Sequence, residues 1–415
     1  MKKKKLSFSA LIFLALVSGI ACGMLLQNHA SFAGVYIKPF GTVFLNLLKM
    51  IVVPVVLFSI IQGIISLKDI RKVGSIGIKT VLFYLVTTAF AVFLGVAFAN
   101  LFRVGGNYKL NTDVLTTYDG STTTSVIDTF VNMFPSNWLT PLTEANMLQV
   151  IALALFFGFA IISTGEKGKV TAELVESLGE VSFKVMENIL KLSPIGVFAL
   201  ITPVIAENGP SVLLPLIRLI LVVYFTGIVH MVLIYSSSVK IFGDIRPSAF
   251  FKEMMPAMMF AFSSASSIGT LPLSMECTQK LGAKKEVSSF VLPLGATINM
   301  DGTCIYQGVC AIFIAQIFGI DLSIMQQLTI VLTATLASIG TAGVPGAGVI
   351  MLAMVLQSVG LPLEGIALIT GIDRILDMAR TTVNITGDAA CTICISKLED
   401  KKTERTDLSI AAAAE

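Results

Sequence analysis

Long apolar runs separated by short polar loops recur along the chain, at approximately 6–27, 35–66, 75–102, 128–164, 171–205 and 211–242, with less regular material to 396. A helix of about 20 apolar residues crosses a bilayer, so the pattern predicts a polytopic all-helical membrane protein. One stretch breaks the pattern. Gly371–Asp388 lies between the apolar runs Leu361–Thr370 and Ala389–Ile395, yet it carries three acids, two arginines and an asparagine. On a helix Asp373, Asp377, Arg380, Asn384 and Asp388 fall within an arc of about 80°, with Thr381 beside them. A charge at mid-bilayer costs about 2.5–3.5 kcal/mol, so this stripe must face protein, water or bound ions. It reads either as a structural ion-pair network or as a polar ligand and cation site.

Composition agrees with the pattern. Of 415 residues 55% are hydrophobic and 13% charged, and the mean hydropathy is +0.86, against about 25% charged in soluble domains. Lys2–Lys5 followed by Leu6–Leu26 resembles a signal peptide, but the apolar run is too long for one. It is expected to be a retained first helix with its basic end in the cytoplasm. The six cysteines lie in or beside apolar runs, and Cys391-x-x-Cys394 has no second pair to complete a zinc set, so they read as small packing residues.

Loop charge sets the expected topology. Lys68, Arg71 and Lys72, then Lys167 and Lys169, then Lys240, Arg246 and Lys252 fall on alternate loops, as cytoplasmic loops should; Arg103 and Lys109 depart weakly from the rule. Segment 253–279 lies between two basic loops, the second holding Lys280, Lys284 and Lys285, so it is expected to enter and return on the cytoplasmic side. Its turn would be Ser263–Pro272. Segment 323–359 has no basic residue in either flanking loop and is expected to return on the outside, turning at 338–348. The tips echo each other, Ser267-Ile268-Gly269-Thr270 against Ser338-Ile339-Gly340-Thr341. Each precedes a helix with a polar centre, Asn299–Thr303 or Asn384–Asp388. Hairpin plus helix, twice and oppositely oriented, is the sign of an inverted repeat with its site near mid-membrane.

These residues suit a charged ligand. Non-helical backbone at membrane depth persists where it lines a site or is buried in protein, and exposed N–H groups at helix ends favour a carboxylate. The serines of 263–267 read alternatively as plain turn residues. A break at Gly302 would free carbonyls for a cation, and Asp301 and Asp388 supply hard oxygens. Arg380 can grip a carboxylate through two parallel hydrogen bonds, while Asp377 can hold an ammonium. Tyr84, Thr87 and Thr88 read on their own as packing or back-bonding residues. His29 and His230 lie far from these clusters in sequence, and no serine or cysteine has a base partner, so an enzyme is not expected. No extended filter motif points to a channel.

At these motifs, Leu294–Thr303, Ala337–Gly348 and Asp373–Asp388, with Ser193–Leu200, the chain resembles the dicarboxylate/amino acid:cation symporter family over essentially its whole length. The resemblance implies a homotrimer of eight spans and two re-entrant hairpins per protomer, working as an elevator. Residues 1–73 and 111–208 would form a scaffold, residues 74–110 and 209–396 a transport domain, and 397–415 a cytoplasmic tail. It implies that Arg380 and Thr303 bind a substrate side-chain carboxylate, Asp377 and Thr381 its amino group and Asn384 its α-carboxylate. Backbone at Ser267, Val344 and Gly348 would assist. One sodium would use Asp388, Asn384, Gly295 and Asn299, a second Thr297, Ser338, Ile339 and Thr341, and a third Tyr84, Thr87, Thr88, Asn299 and Asp301. Dicarboxylate relatives lack the acid at 377 and neutral-amino-acid relatives lack the arginine at 380; this chain has both. The chain departs from the family at Ile268, where a serine is usual, and at Ala265 and Met378, where an extra arginine often stands; Arg374 is placed elsewhere. The expected function is sodium-driven uptake of L-aspartate or L-glutamate across the inner membrane, with both termini cytoplasmic, no organic cofactor and no nucleic-acid partner. Proton coupling is the alternative.

Overall fold

The computed structural model describes residues 8–73, 75–106, 131, 134–209, 213–338 and 347–413. Among them the chain is helical throughout, with no strand. The principal helices are α1 (Phe8–Leu25), α2 (Lys38–Val73), α3 (Ser75–Leu101), α4 (Met147–Thr164), α5 (Lys169–Leu190) and α6 (Ser193–Asn208). They continue with α7 (Leu213–His230), α8 (Pro247–Ser264), α9 (Ser267–Lys280), α10 (Lys285–Ile298), α11 (Asp301–Ile317), α12 (Ile324–Ser338), α13 (Ala347–Ser358) and α14 (Asp373–Ala413). Four described stretches are long and apolar enough to cross a membrane: 76–101, 149–190, 213–241 and 285–317.

Several expected elements are broken, each for a local reason. The span expected at 171–205 is two helices, α5 and α6, divided at Lys191-Leu192 just before Ser193-Pro194. Proline suits the first turn of a new helix better than the middle of an old one. The polar centre of 284–318 breaks at Asn299-Met300, not at Gly302, and Gly302 belongs to the first turn of α11. Gly371-Ile372 interrupts the run into the charged stripe, so Asp373 opens α14, where a carboxylate favours the positive helix end. The expected tail from 397 is helical as far as Ala413. Where α8 meets α9, Ala265 takes the left-handed conformation and Ser266 Oγ accepts from the Gly269 N–H as an N-cap. The two helices fold back on each other there. Of the turn expected at 338–348, Ser338 ends α12 and Ala347-Gly348 open α13, and 339–346 lie outside the described residues.

The helices sort into two packed sets. In one, α2 lies against α4, α5 and α6, and α1 lies along α6. Gly19 and Gly23 let α1 approach closely: a Cβ on Gly23 would sit 2.7 Å from the Thr202 carbonyl oxygen, and the Thr202 hydroxyl donates to the Gly19 carbonyl at 3.3 Å. Such small-residue crossings pack helices where lipid is as apolar as side chains. In the other set α11 is the axis. It is buried along nearly its whole length, and α3, α7, α12, α13 and α14 pack around it, with α8, α9 and α10 against α14. The far end of this set is clasped by Lys79–Glu399 at 2.7 Å and Lys284–Asp400 at 2.5 Å. The bond to Asp400 raises the Lys284 ammonium above its ordinary pKa.

Candidate functional site

The stripe predicted on α14 is real, and it is buried inside the second set. Arg380 is 2% exposed. Its Nη1 donates to Asp373 Oδ1 at 2.8 Å, and its Nη2 donates to Asp377 Oδ1 at 2.8 Å. The guanidinium carbon lies 4.3 Å from the centre of the Tyr306 ring, a cation–π contact that sequence reading missed. Gly348, in the first turn of α13, completes the enclosure: a Cβ there would stand 2.6 Å from Arg380 Nη1. One turn along α14, Asn384 Oδ1 accepts from the Gly302 N–H at 2.7 Å, and Asn384 Nδ2 donates to Thr303 Oγ1 at 3.4 Å. Thr381 is buried on the same face. Arg380, Asp377, Asn384, Thr303 and Gly348 therefore converge from α14, α11 and α13. Ser267 is buried as the first residue of α9, where N–H groups have no partner in their own helix. Val344 lies outside the described residues.

Farther along α14 the character changes. Asp388, 2% exposed, accepts from Asn299 Nδ2 at 2.9 Å and forms no ion pair with a Lys, Arg or His among the described residues. Asn299 Nδ2 also donates to the Asn384 carbonyl at 3.1 Å, while Asn299 Oδ1 is buried without a partner among the described residues. Gly295 makes the space: a Cβ there would collide with Asp388 Oδ1 and the Tyr84 hydroxyl. A buried carboxylate, an orphaned amide oxygen and a phenol around a glycine form the oxygen-rich set that a hard cation takes.

Asp301 forms a third group. Thr88 Oγ1 donates to its Oδ1 at 2.6 Å, the Tyr235 hydroxyl donates to its Oδ2 at 2.7 Å, and His230 Nε2 lies 3.1 Å from Oδ2. His230 is wholly buried, so the histidine that seemed remote from the polar clusters belongs to one of them. His230 and Tyr235 are five residues apart, a spacing that a regular helix does not put on one face. A π turn at Met231–Tyr235 does so, and the two rings meet with centroids 4.8 Å apart.

Tyr84, Thr87 and Thr88 turn to different partners. Thr88 reaches Asp301, whereas Thr87 bonds back to the Tyr84 carbonyl at 3.2 Å and the Tyr84 hydroxyl donates to the Val291 carbonyl at 3.2 Å. The hydroxyls of Thr297 and Ser338 also turn back onto their own helices. Both residues stand in the last turn of a helix, where carbonyls lack intrahelical partners, but Ile339 and Thr341 of the same set lie outside the described residues. Cys277, Cys304, Cys310, Cys391 and Cys394 are buried free thiols, as packing residues would be.

A family model described as the sodium:dicarboxylate symporter family matches residues 8–398. The chain is similar to the proton/sodium-glutamate symport protein of Geobacillus stearothermophilus, at 38% identity over 408 residues, covering 97% of this chain and 96% of that protein. It is 36% identical over 417 residues to the proton/glutamate-aspartate symporter of Escherichia coli, with 97% and 95% covered. It is 33% identical over 401 residues to the C4-dicarboxylate transport protein of Cupriavidus taiwanensis, with 94% and 92% covered.

Proposed function

The chain belongs to the sodium:dicarboxylate symporter family, and from that premise we propose that it takes up L-aspartate or L-glutamate together with sodium by secondary active transport. The observation that carries the reading is the division of charge along α14. At one end a buried arginine lies between Asp373 and Asp377; at the other a buried carboxylate has no basic side chain beside it among the described residues. The first arrangement suits a zwitterion with an extra carboxylate. Arg380 would take the side-chain carboxylate with Thr303, Asp377 and Thr381 the ammonium, and Asn384 the α-carboxylate, with backbone from Ser267, Val344 and Gly348. A C4-dicarboxylate has no ammonium, and Asp377 would repel it. In the second arrangement no basic side chain among the described residues balances the carboxylate, and a co-transported cation would. One sodium would sit among Asp388, Asn384, Gly295 and Asn299, a second among Tyr84, Thr87, Thr88, Asn299 and Asp301, and a third at the ends of α10 and α12 with Thr297, Ser338, Ile339 and Thr341.

Proton coupling is the second reading, favoured by His230 against Asp301. The transport architecture in this proposal is a multi-pass inner-membrane homotrimer with cytoplasmic termini, eight spans and two re-entrant hairpins, α8–α9 and α12–α13. The set around α11 would slide as an elevator against the set around α2. The two packed sets support that division, and the fold-back of α8 on α9 supports the first hairpin. Competition for uptake by purified, reconstituted protein tests the substrate class. Unlabelled L-aspartate and L-glutamate should abolish uptake of labelled L-aspartate, and succinate and L-alanine should leave it. Inhibition by succinate as strong as by L-aspartate would reject the ammonium role of Asp377.

A further inference from the structure

Arg374 belongs to the charged stretch 371–388 but has no part in the proposed substrate or cation sites. It projects from the first turn of α14 toward the break between α8 and α9. Its Nη2 donates to the Ser264 carbonyl at 3.2 Å and to the Ser263 carbonyl at 3.4 Å. Its Nη1 lies 4.0 Å from Asp377 Oδ2. Ser263 and Ser264 close α8. Carbonyls in a last turn have no partner in their own helix and carry the negative end of its dipole. A guanidinium is the side chain best shaped to satisfy two of them while facing a carboxylate on its other edge. A second tie runs beside it. The Tyr224 hydroxyl donates to the Ile375 carbonyl at 2.7 Å, and the Tyr224 ring meets Phe262 edge-on at 6.4 Å. The end of α8 is thus fastened to the start of α14 through Arg374 directly and through Tyr224 on α7.

We propose that Arg374 is a positioning residue that caps α8 and ties the Ser263–Ser267 break to Asp377, keeping the break and the acid in register for the two ends of one substrate. Asp377 then lies between two guanidiniums, Arg380 at 2.8 Å and Arg374 at 4.0 Å. Its orientation therefore depends on a residue that does not itself touch the ligand. The positioning role rests on the assignment of Asp377 and Ser267 to the substrate site; the tie between the helices does not.

Two readouts separate these. The Ser264 hydroxyl is buried, so a membrane-impermeant thiol reagent labels Ser264→Cys only as the break opens, while the backbone carbonyl is retained. Adding Arg374→Ala should speed labelling about tenfold, as expected for the loss of hydrogen bonds to a charged group, and Arg374→Lys should fall between. In reconstituted protein without the cysteine, Arg374→Ala should raise the KM for L-aspartate about tenfold while Vmax stays within about twofold. Arg374→Lys should recover part of the loss. Unchanged labelling overturns the tie. Faster labelling with an unchanged KM overturns the positioning role. Should wild-type protein take up no acidic amino acid, the transport reading fails, and the labelling rates still decide the tie.

Discussion

At the scale of single residues, the stripe on α14 holds two kinds of buried charge: Arg380 with acids on both sides, and Asp388 with no basic partner among the described residues. Arg380 is locked between two acids and a tyrosine face, so its removal leaves Asp373 and Asp377 facing each other. Arg380→Cys should raise the KM for L-aspartate about thirtyfold or more and shift preference toward neutral amino acids; unchanged acidic selectivity in a competition assay would count against the assignment. Asp388 is the complementary case. Asp388→Asn keeps the hydrogen bond to Asn299 possible but removes the anion, and should raise the sodium concentration for half-maximal uptake about tenfold. Gly295→Ala places a methyl group between Asp388 and Tyr84 and should weaken the sodium response in the same direction, with less effect on substrate selectivity. An equal sodium response in both variants would remove the cation site from this place.

At the scale of elements, function depends on helices that stop or slip. Asp373–Asp388 was legible because spacings of three and four put charges on one helix face, a signal that survives without any knowledge of neighbours. The break at Asn299-Met300 was legible only to within a few residues. Glycine marks close approach as readily as a turn, and Gly302 is there because a Cβ would strike the Arg380 backbone. His230 and Tyr235 were invisible because their spacing of five becomes one face only through a π turn. That turn predicts a role for both. Tyr235→Phe removes a donor from Asp301 without changing shape, so it should weaken the sodium response several-fold, roughly as the loss of one charge-assisted hydrogen bond allows. Uptake titrated against sodium in Tyr235→Phe and wild type checks this; matching titrations would leave Tyr235 a packing residue.

At the scale of the molecule, the two packed sets meet along a boundary that transport would have to cross. Leu16 of α1 lies against Gly371, just before α14, where a Cβ would stand 2.6 Å from the leucine Cδ1. The pair Leu16→Cys with Gly371→Cys should form a disulfide on oxidation and stop uptake, and reductant should restore it. Lys79→Cys with Glu399→Cys, both within one set, should leave uptake intact when joined by a bifunctional thiol reagent long enough to replace the two side chains. Inhibition by both pairs, or by neither, would argue against relative motion of the sets. Hydropathy and loop charge made the helical, membrane-spanning class legible. They did not make the partition legible, because which helices pack together depends on small-residue crossings such as Gly19 and Gly23 against Thr202 and Ile205, which resemble any other glycine in an apolar run.

Sodium as the co-transported counter-charge of Asp388, a buried carboxylate with no basic partner among the described residues, is the reading on which the rest depends. Its most direct test is uptake of radiolabelled L-aspartate into proteoliposomes under an inward sodium gradient, an inward proton gradient, or neither. Accumulation above equilibrium only with the sodium gradient is the predicted result. Accumulation driven by the proton gradient in the absence of sodium would contradict it, and would reassign Asp301 and Asp388 to proton carriage or to structure.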